Sequence, residues 1–411
     1  MKKVNLSESF TPLLGILLLL SYDLLTYLAI GFSSSSIKIV YYAFFLLIYI
    51  VYLIFANKKN KIYFYTNDFT FKITLFFCIT YLIRVIFDLY IKGINHVIYT
   101  NRITYVYLFV NGVIIPLFFL KSINYEKINF NVLYLLYSLL IFISLLISYN
   151  NISKGILYAI GGRYNANETL DTIGYGHLGI TFFLIGFYFF NSSSKLYIKF
   201  FSILIMIFGL FSAGLANSRS PLVALICCLL FYIFLTKKFK TLFVLIILFF
   251  LIVVNINKID YFFQSYGSSF IERVIYTVSE NHEDITSGRN IIYKETINNI
   301  LNNPFFGKSF LVQTNFWGVT YAHNSILDAF HATGLFGGIL YIIIIITTLK
   351  NAFQIAKKKN EYLFISLIFI QYLIYSMFSR SLISLPILWT TIFLVNSIYT
   401  FEKQHVNKIR K

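Results

Sequence analysis

The sequence predicts an all-α fold: a polytopic membrane bundle of about 12 transmembrane helices with a large, partly helical loop late in the chain. Three observations carry this. Of 411 residues, 58% are hydrophobic and 12% charged, where a soluble domain carries about 25% charged residues. The apolar residues come in runs of roughly 17 to 22, enough to cross ~30 Å of hydrocarbon at 1.5 Å per residue. A single long polar stretch, 257–333, interrupts them.

Taken in order, the runs fall near 11–32, 37–56, 69–90, 103–120, 131–148, 172–190, 196–216, 221–236, 241–256, 334–352, 361–378 and 384–400. The first follows Lys2 and Lys3 but is about 20 residues long with Asp23 near its middle. A signal-peptide core is shorter, typically 7–15 apolar residues, so this run reads as a retained helix. Cys78, Cys227 and Cys228 all lie inside apolar runs, where neither a metal site nor a disulfide framework is expected. The chain shows no internal repeat and no linker, so 1–411 reads as one membrane domain.

Charge sets the expected topology. With the N-terminus inside and the runs alternating, 21 Lys and Arg against five acids fall on the cytoplasmic side. The outer side then holds 12 cations and ten acids. This is the positive-inside pattern, and it accounts for the formal net charge of +18 without nucleic-acid binding. Both termini are then cytoplasmic, and the loops 149–171 and 257–333 lie outside. The inner cations are nearly all Lys, whereas Arg102, Arg163, Arg219, Arg273, Arg289 and Arg380 are external. Arginine offers a planar fork suited to phosphate and carboxylate. An anionic ligand at the outer face is therefore expected.

The long loop carries the sharpest signals. From Arg289 to Asn303, Ile292, Thr296, Ile297, Ile300 and Leu301 share a helical face, and Asn303-Pro304 ends the run. Ser287-Gly288 places Arg289 at the positive end of this helix, where an anion would meet backbone N–H groups and a guanidinium. The alternative is a solvated helix start. Asn324-Ser325 opens the next helix, with Ser325 and Asp328 at capping-box spacing. His323 just before it is positioned to take a proton from a sugar hydroxyl, although a loop histidine is more commonly a surface residue. His331 is a weaker candidate, and His282, in an acidic run, reads as solvated. Arg219, in Asn217-Ser218-Arg219-Ser220-Pro221, and Arg380, in Ser379-Arg380-Ser381, sit where helices meet the outer interface. Snorkelling is the alternative for both. Gly174, Gly176 and Gly179 match a dinucleotide fingerprint in spacing only, with no preceding strand, so close helix packing is the better reading. Asp23 and the Arg84/Asp88 pair are polar groups inside apolar runs, to be paired with one another or to line a cavity. No Walker motif, HExxH or Asp-x-Asp is present, which favours a metal-independent mechanism with no cofactor.

The ordered set Asn-Ser-Arg219-Ser-Pro, Ser-Gly-Arg289, Asn-Pro-Phe-Phe-Gly307, Ala-His323-Asn324-Ser325 and Gly334-Leu-Phe-Gly337 resembles the O-antigen polymerase and O-antigen ligase superfamily. The resemblance covers about 210–340 and the overall architecture. Ten residues separate Arg163 from Gly174, which resembles an arginine-ten-glycine motif of polymerase loops. The second loop departs from it, with Ile300 at the glycine position after Arg289. The resemblance implies inverting glycosyl transfer at the periplasmic face of the bacterial inner membrane. The partners are an undecaprenyl-pyrophosphate-linked oligosaccharide donor and acceptor and membrane lipids, with a chain-length regulator protein as a further partner. It casts His323, Arg289 and Arg219 as catalytic. His323 activates the acceptor hydroxyl, and the two arginines stabilise the leaving pyrophosphate. Arg163, Arg380, Asn324, Trp317 and Tyr321 are cast as substrate-binding. Within the family, the AT-rich, Phe- and Tyr-rich composition favours a polymerase over a ligase acting on the lipid A core. A lipid-linked oligosaccharide flippase or other transporter is the alternative from a different class. It fits less well, because transporters show repeats and midplane sites.

Overall fold

The computed structural model describes residues 6–21, 24, 34–57, 68–93, 102–153, 158–159, 163–164, 172–216, 218–240, 243, 247, 250, 254–266, 289–315 and 318–409. Thirteen helices are described. They are α1 (Leu6–Leu20), α2 (Ser34–Asn57), α3 (Phe69–Ile91), α4 (Arg102–Ser122), α5 (Phe130–Ser153), α6 (Thr172–Ser192), α7 (Leu196–Leu215), α8 (Ser220–Thr236), α9 (Ile256–Ser265), α10 (Arg289–Asn302), α11 (Ser325–Lys358), α12 (Leu363–Phe378) and α13 (Pro386–Ile409). Among the described residues, seven helices are long and apolar enough to cross a membrane: α3 to α7, α11, and α12 with the turn before it. Segments of α1 and α2, together with α8, are shorter apolar helices. Most of the ninth predicted run, 241–256, together with Asp23 and most of the loop before Arg289, including Arg273 and His282, lies outside the described residues.

Helix α12 and the first part of α13 are buried on nearly every side and form the centre of the bundle. A helix apolar all round is stable only when surrounded. On the outer faces Phe200, Ile207, Phe234 and Ile346 are exposed, as expected where hydrocarbon replaces water. The glycine-spacing expectation for α6 holds. A Cβ on Gly179 would come within 2.7 Å of the Gly209 carbonyl oxygen on α7, and one on Gly209 within 2.6 Å of the Gly179 oxygen. Small residues let the two backbones touch.

The bundle has two chemically distinct ends. At one, the Lys121 ammonium and the Thr400 hydroxyl each lie 2.7 Å from the Asp68 carboxylate. There Lys358, Lys359 (2.6 Å) and the Tyr362 hydroxyl (2.8 Å) also converge on Glu402. The other end carries the long loop. Arg84 and Asp88 do pair, Nε to Oδ2 at 2.9 Å, with Lys92 at 3.6 Å and the Phe310 N–H at 2.8 Å on the same carboxylate.

The long loop is locked to this end by a clasp. Helix α11 breaks at Gly334 (φ 69°, ψ −167°), nine residues after its start at Ser325 and at the point where the expected apolar run begins. In an unbroken helix the Leu335 N–H would donate to the His331 carbonyl. Here it donates to the Pro304 carbonyl at 2.6 Å, and His331 O accepts from Lys308 N at 2.8 Å and Ser309 N at 3.3 Å. Each glycine packs on the backbone of the other segment: a Cβ on Gly334 would lie 2.2 Å from Phe305 O, and one on Gly307 (φ 68°) 2.6 Å from His331 O. Arg84 Nη1 holds Phe306 O at 3.2 Å and Lys92 holds Lys308 O at 2.7 Å. The Asn-Pro-Phe-Phe-Gly and Gly-Leu-Phe-Gly segments are therefore two halves of one joint.

Two expectations are corrected. Helix α10 forms as expected, but its buried stripe is Ile292, Thr296 and Asn299, while Ile297 and Leu301 are exposed at 46% and 71%. The polar Asn299 turns inward because its Oδ1 accepts the Lys308 ammonium at 2.7 Å. The capping box at Ser325 does not form. Asn324 is the N-cap, its Oδ1 accepting from Ile326 N (3.0 Å) and Leu327 N (3.1 Å), and the Asp328 carboxylate faces the bundle interior instead.

The clasp predicts that Gly334→Ala destabilises the fold by about 3 kcal/mol or more through positive-φ strain and backbone overlap. Gly93→Ala, also at positive φ (63°) but with nothing within 4 Å, costs only about 1–2 kcal/mol. Unfolding midpoints in detergent distinguish the two. At the opposite end, burial works to raise Glu402, but the Lys358, Lys359 and Tyr362 hydrogen bonds override it and hold its carboxyl down to about 2, below the ordinary 4.5. A depressed folded-state value stabilises above the unfolded value and is lost as pH falls through the folded one. Wild type should therefore lose stability between about pH 4.5 and 2 more steeply than Glu402→Gln, as read by thermal unfolding across that range.

Candidate active site

The loop ends of α6, α8, α11 and α12 come together at the clasp end of the bundle. Helix α8 begins at Ser220, with Pro221 in its first turn, and the carbonyl of Arg219 accepts the Leu222 and Val223 N–H groups at 3.1 and 3.2 Å. Pro at this position costs no hydrogen bond. The Arg219 backbone is thereby fixed while its side chain is exposed. Its neighbour Ser220 is buried, with Oγ 3.1 Å from Nε2 of the fully buried His177 on α6. The His177 ring stacks on Tyr375 of α12 (centroids 4.0 Å, 23° between planes), and the Tyr375 hydroxyl accepts from Arg380 Nε at 3.0 Å. Gln371 closes this group from below, donating to the His177 carbonyl at 2.6 Å. A chain of hydrogen-bonded and stacked side chains thus runs from Arg380 through Tyr375 and His177 to Ser220, beside Arg219.

The α11 start joins the same place. Asn324 Nδ2 donates to Met377 O at 3.4 Å, and the Ser325 and Ser376 hydroxyls lie 2.9 Å apart. His323 and the turn bearing Arg380 therefore flank the end of α12. Asp328, one turn into α11 and 1% exposed, accepts from Leu382 N at 2.8 Å and from the Tyr81 hydroxyl of α3 at 3.1 Å. This carboxylate ties the Arg380 turn to α11. His323 (φ 54°) and Arg380 (φ 72°) are two of the three non-glycine residues with positive φ among those described. Such backbone costs energy and persists where the surroundings over-determine it, commonly at functional sites.

The His323 ring lies against Tyr321, centroids 4.1 Å apart. The strands β3 (Val312–Thr314) and β4 (Gly318–Thr320) pair antiparallel just before it. Helix α10 reaches the same loop. Ile292 clusters with Val312 and Ala322, with Leu327 packed against them, so the first turn of α10, bearing half-buried Arg289, is held next to the His323 segment. Burial raises the Tyr293 phenol, and the nearby Arg289 charge works against that.

The sequence-predicted residues therefore divide. His323, Arg380, Tyr321 and Asn324 are assembled around the α11 start, Arg219 is joined to them by the His177 chain, and Arg289 by α10 packing. Asn324 has its side-chain oxygen engaged as a cap. Arg163 lies in strand β2 (Arg163–Tyr164), paired with β1 (Tyr158–Ala159) and opposite Ala159. Trp317, Ser287, Gly288 and Asn217 lie outside the described residues. His177, Tyr375, Gln371 and Asp328 were missed as site-supporting groups. The signal was available for His177 and Gln371, since polar and ionisable residues inside membrane helices are expensive and tend to be functional.

Residues 201–342 match the family model described as O-Antigen ligase. That stretch holds Arg219, Arg289, His323, Asn324 and both halves of the clasp, while Arg163 and Arg380 lie beyond it. No curated protein matches the chain.

The geometry predicts that Asp328→Ala, which strips the acceptor from the buried Leu382 N–H and Tyr81 hydroxyl, destabilises the protein by about 3 kcal/mol, whereas Tyr81→Phe costs about 1 kcal/mol. Detergent unfolding of the two variants measures the difference.

Proposed function

We propose, on the similarity of residues 201–342 to the O-Antigen ligase family model, that the protein is a surface-polysaccharide (O-antigen) polymerase. It moves an undecaprenyl-pyrophosphate-linked glycan onto a lipid-linked repeat unit at the periplasmic face of the bacterial inner membrane. The observation that carries this reading is the pairing of two strained residues, His323 and Arg380, on segments that flank one helix end. A base and a phosphate-binding fork are the two groups that a transfer from a pyrophosphate needs.

In this reaction the acceptor hydroxyl oxygen attacks the anomeric carbon as the bond to the pyrophosphate oxygen breaks, and the anomeric centre inverts. His323 takes the hydroxyl proton. The bond electrons leave with the lipid pyrophosphate, and Arg219 and Arg289 offset the charge developing there. Arg380 and Arg163 hold phosphate or acidic sugar. Tyr321 and Trp317 supply ring faces for sugars. The Tyr375 and His177 chain positions Arg380 relative to the α8 start, so that the cations arrive preorganised. The undecaprenyl chain stays in the bilayer, and a chain-length regulator acts as partner.

A second reading is favoured by the description of the matching family model, O-Antigen ligase. Here the same chemistry delivers the glycan to the lipid A core, and only the acceptor differs.

Replacing His323 or Arg289 with Ala in the native host should reduce transfer by about 100-fold or more, the scale of losing one preorganised group at a charged transition state. Surface lipopolysaccharide on a gel provides the readout. A core carrying a single repeat unit supports the polymerase, and loss of every core-attached unit supports the ligase. An unchanged ladder from normally expressed variants contradicts both roles. Arg289→Lys should restore only part of the activity, because an ammonium lacks the fork.

A further inference from the structure

At the end of the bundle opposite the candidate active site, the close of α8 and the turn between α11 and α12 enclose a cleft of about 330 Å³. This volume lies within the range of small-molecule pockets. The Lys238 and Lys357 side chains line it together with Asn360, and no carboxylate does. The neighbouring cations are already paired: Lys358 and Lys359 with Glu402, and Lys359 also with Glu361 at 3.7 Å. Lys238 and Lys357 have no ion pair or hydrogen bond among the described residues, and both are exposed. Leu235, Ala356 and Leu363 supply an apolar wall. Beside the cleft, Phe234 and Phe239 are exposed at 62% and 56%, so it opens where the apolar outer face meets the charged end.

Lysines gather at this end for topological reasons alone, but topology does not require two unpaired ammoniums and an amide to converge on one concavity with an apolar wall. We propose that this cleft holds the phosphate headgroup of an anionic phospholipid, its phosphate between Lys238 and Lys357 and its glycerol against Leu235 and Leu363. Basic pockets between membrane helices suit such headgroups. The site is separate from glycan transfer and stands whichever acceptor that reaction uses.

Native mass spectrometry of the detergent-solubilised protein with phosphatidylglycerol or phosphatidylcholine tests it. Wild type should retain one phosphatidylglycerol in preference to phosphatidylcholine. Lys238→Ala/Lys357→Ala should bind it about thirtyfold more weakly, the loss expected for two near-surface cations. Lys195→Ala/Lys199→Ala, which removes two lysines of the same end outside the cleft, should match wild type. Lys357→Glu alone should also abolish retention while the unfolding midpoint stays unchanged. The proposal is overturned if the cleft variant retains phosphatidylglycerol like wild type, or if the control variant loses as much. It is equally overturned if millimolar inorganic phosphate displaces the lipid, which would mark an anion site indifferent to lipid.

Discussion

The break in α11 at Gly334 is the constraint on which the rest of the loop-bearing end depends. A membrane helix cannot leave backbone groups unpaired in hydrocarbon, so a break there must be filled from outside the helix. The Pro304–Ser309 segment fills it, taking the Leu335 N–H and returning two N–H groups to the His331 carbonyl. The exchange works only because both contact points are glycines with positive φ. Once it is made, the polar loop is no longer a tether. Its end is fixed on α3 through Arg84, Asp88 and Lys92, α10 is tied to the same segment through the bond between Lys308 and Asn299, and Ile292 of α10 packs with Val312 of the hairpin before His323.

A second tie sets the opposite side of the site. Asp328 sits in the short segment of α11 before the break and takes two donors, one from α3 and one from the turn beyond Arg380. A buried carboxylate is costly unless it is hydrogen-bonded, and here the cost is met by joining three elements. The Arg380, Tyr375, His177 and Ser220 chain extends this order to α8. Three pieces distant in sequence, 219–220, 323–325 and 375–382, thereby share one end of the bundle. Helix packing alone would bring the elements near. The buried polar contacts set their register and orientation.

Much of this was legible in the sequence. Apolar run length anticipated the seven described helices long and apolar enough to cross a membrane, without establishing the expected count of about 12, and Asn303-Pro304 marked the end of α10. Residues that the family resemblance singled out, His323, Arg219 and Arg380, lie at one end of the bundle. What was not legible depended on partners far along the chain. Asp328 has capping spacing with Ser325, but Tyr81 and Leu382 claim its carboxylate. Asn299 looks like a solvated face until Lys308 folds back over it. The Asn-Pro-Phe-Phe-Gly and Gly-Leu-Phe-Gly segments read as separate motifs, since no periodicity within either reveals that Gly334 packs on the Phe305 carbonyl and Gly307 on the His331 carbonyl. His177 was masked by the glycines around it, which packing explains fully.

The most direct measurement is in vitro. Purified protein in proteoliposomes is given an undecaprenyl-pyrophosphate-linked repeat unit, and both chain growth and released undecaprenyl pyrophosphate are quantified. The proposed chemistry predicts lipid-linked products longer by whole repeat units, with one undecaprenyl pyrophosphate released per new linkage. Absence of both chain growth and lipid pyrophosphate release, from protein whose folding is verified and with no lipid A core present, would contradict the polymerase account.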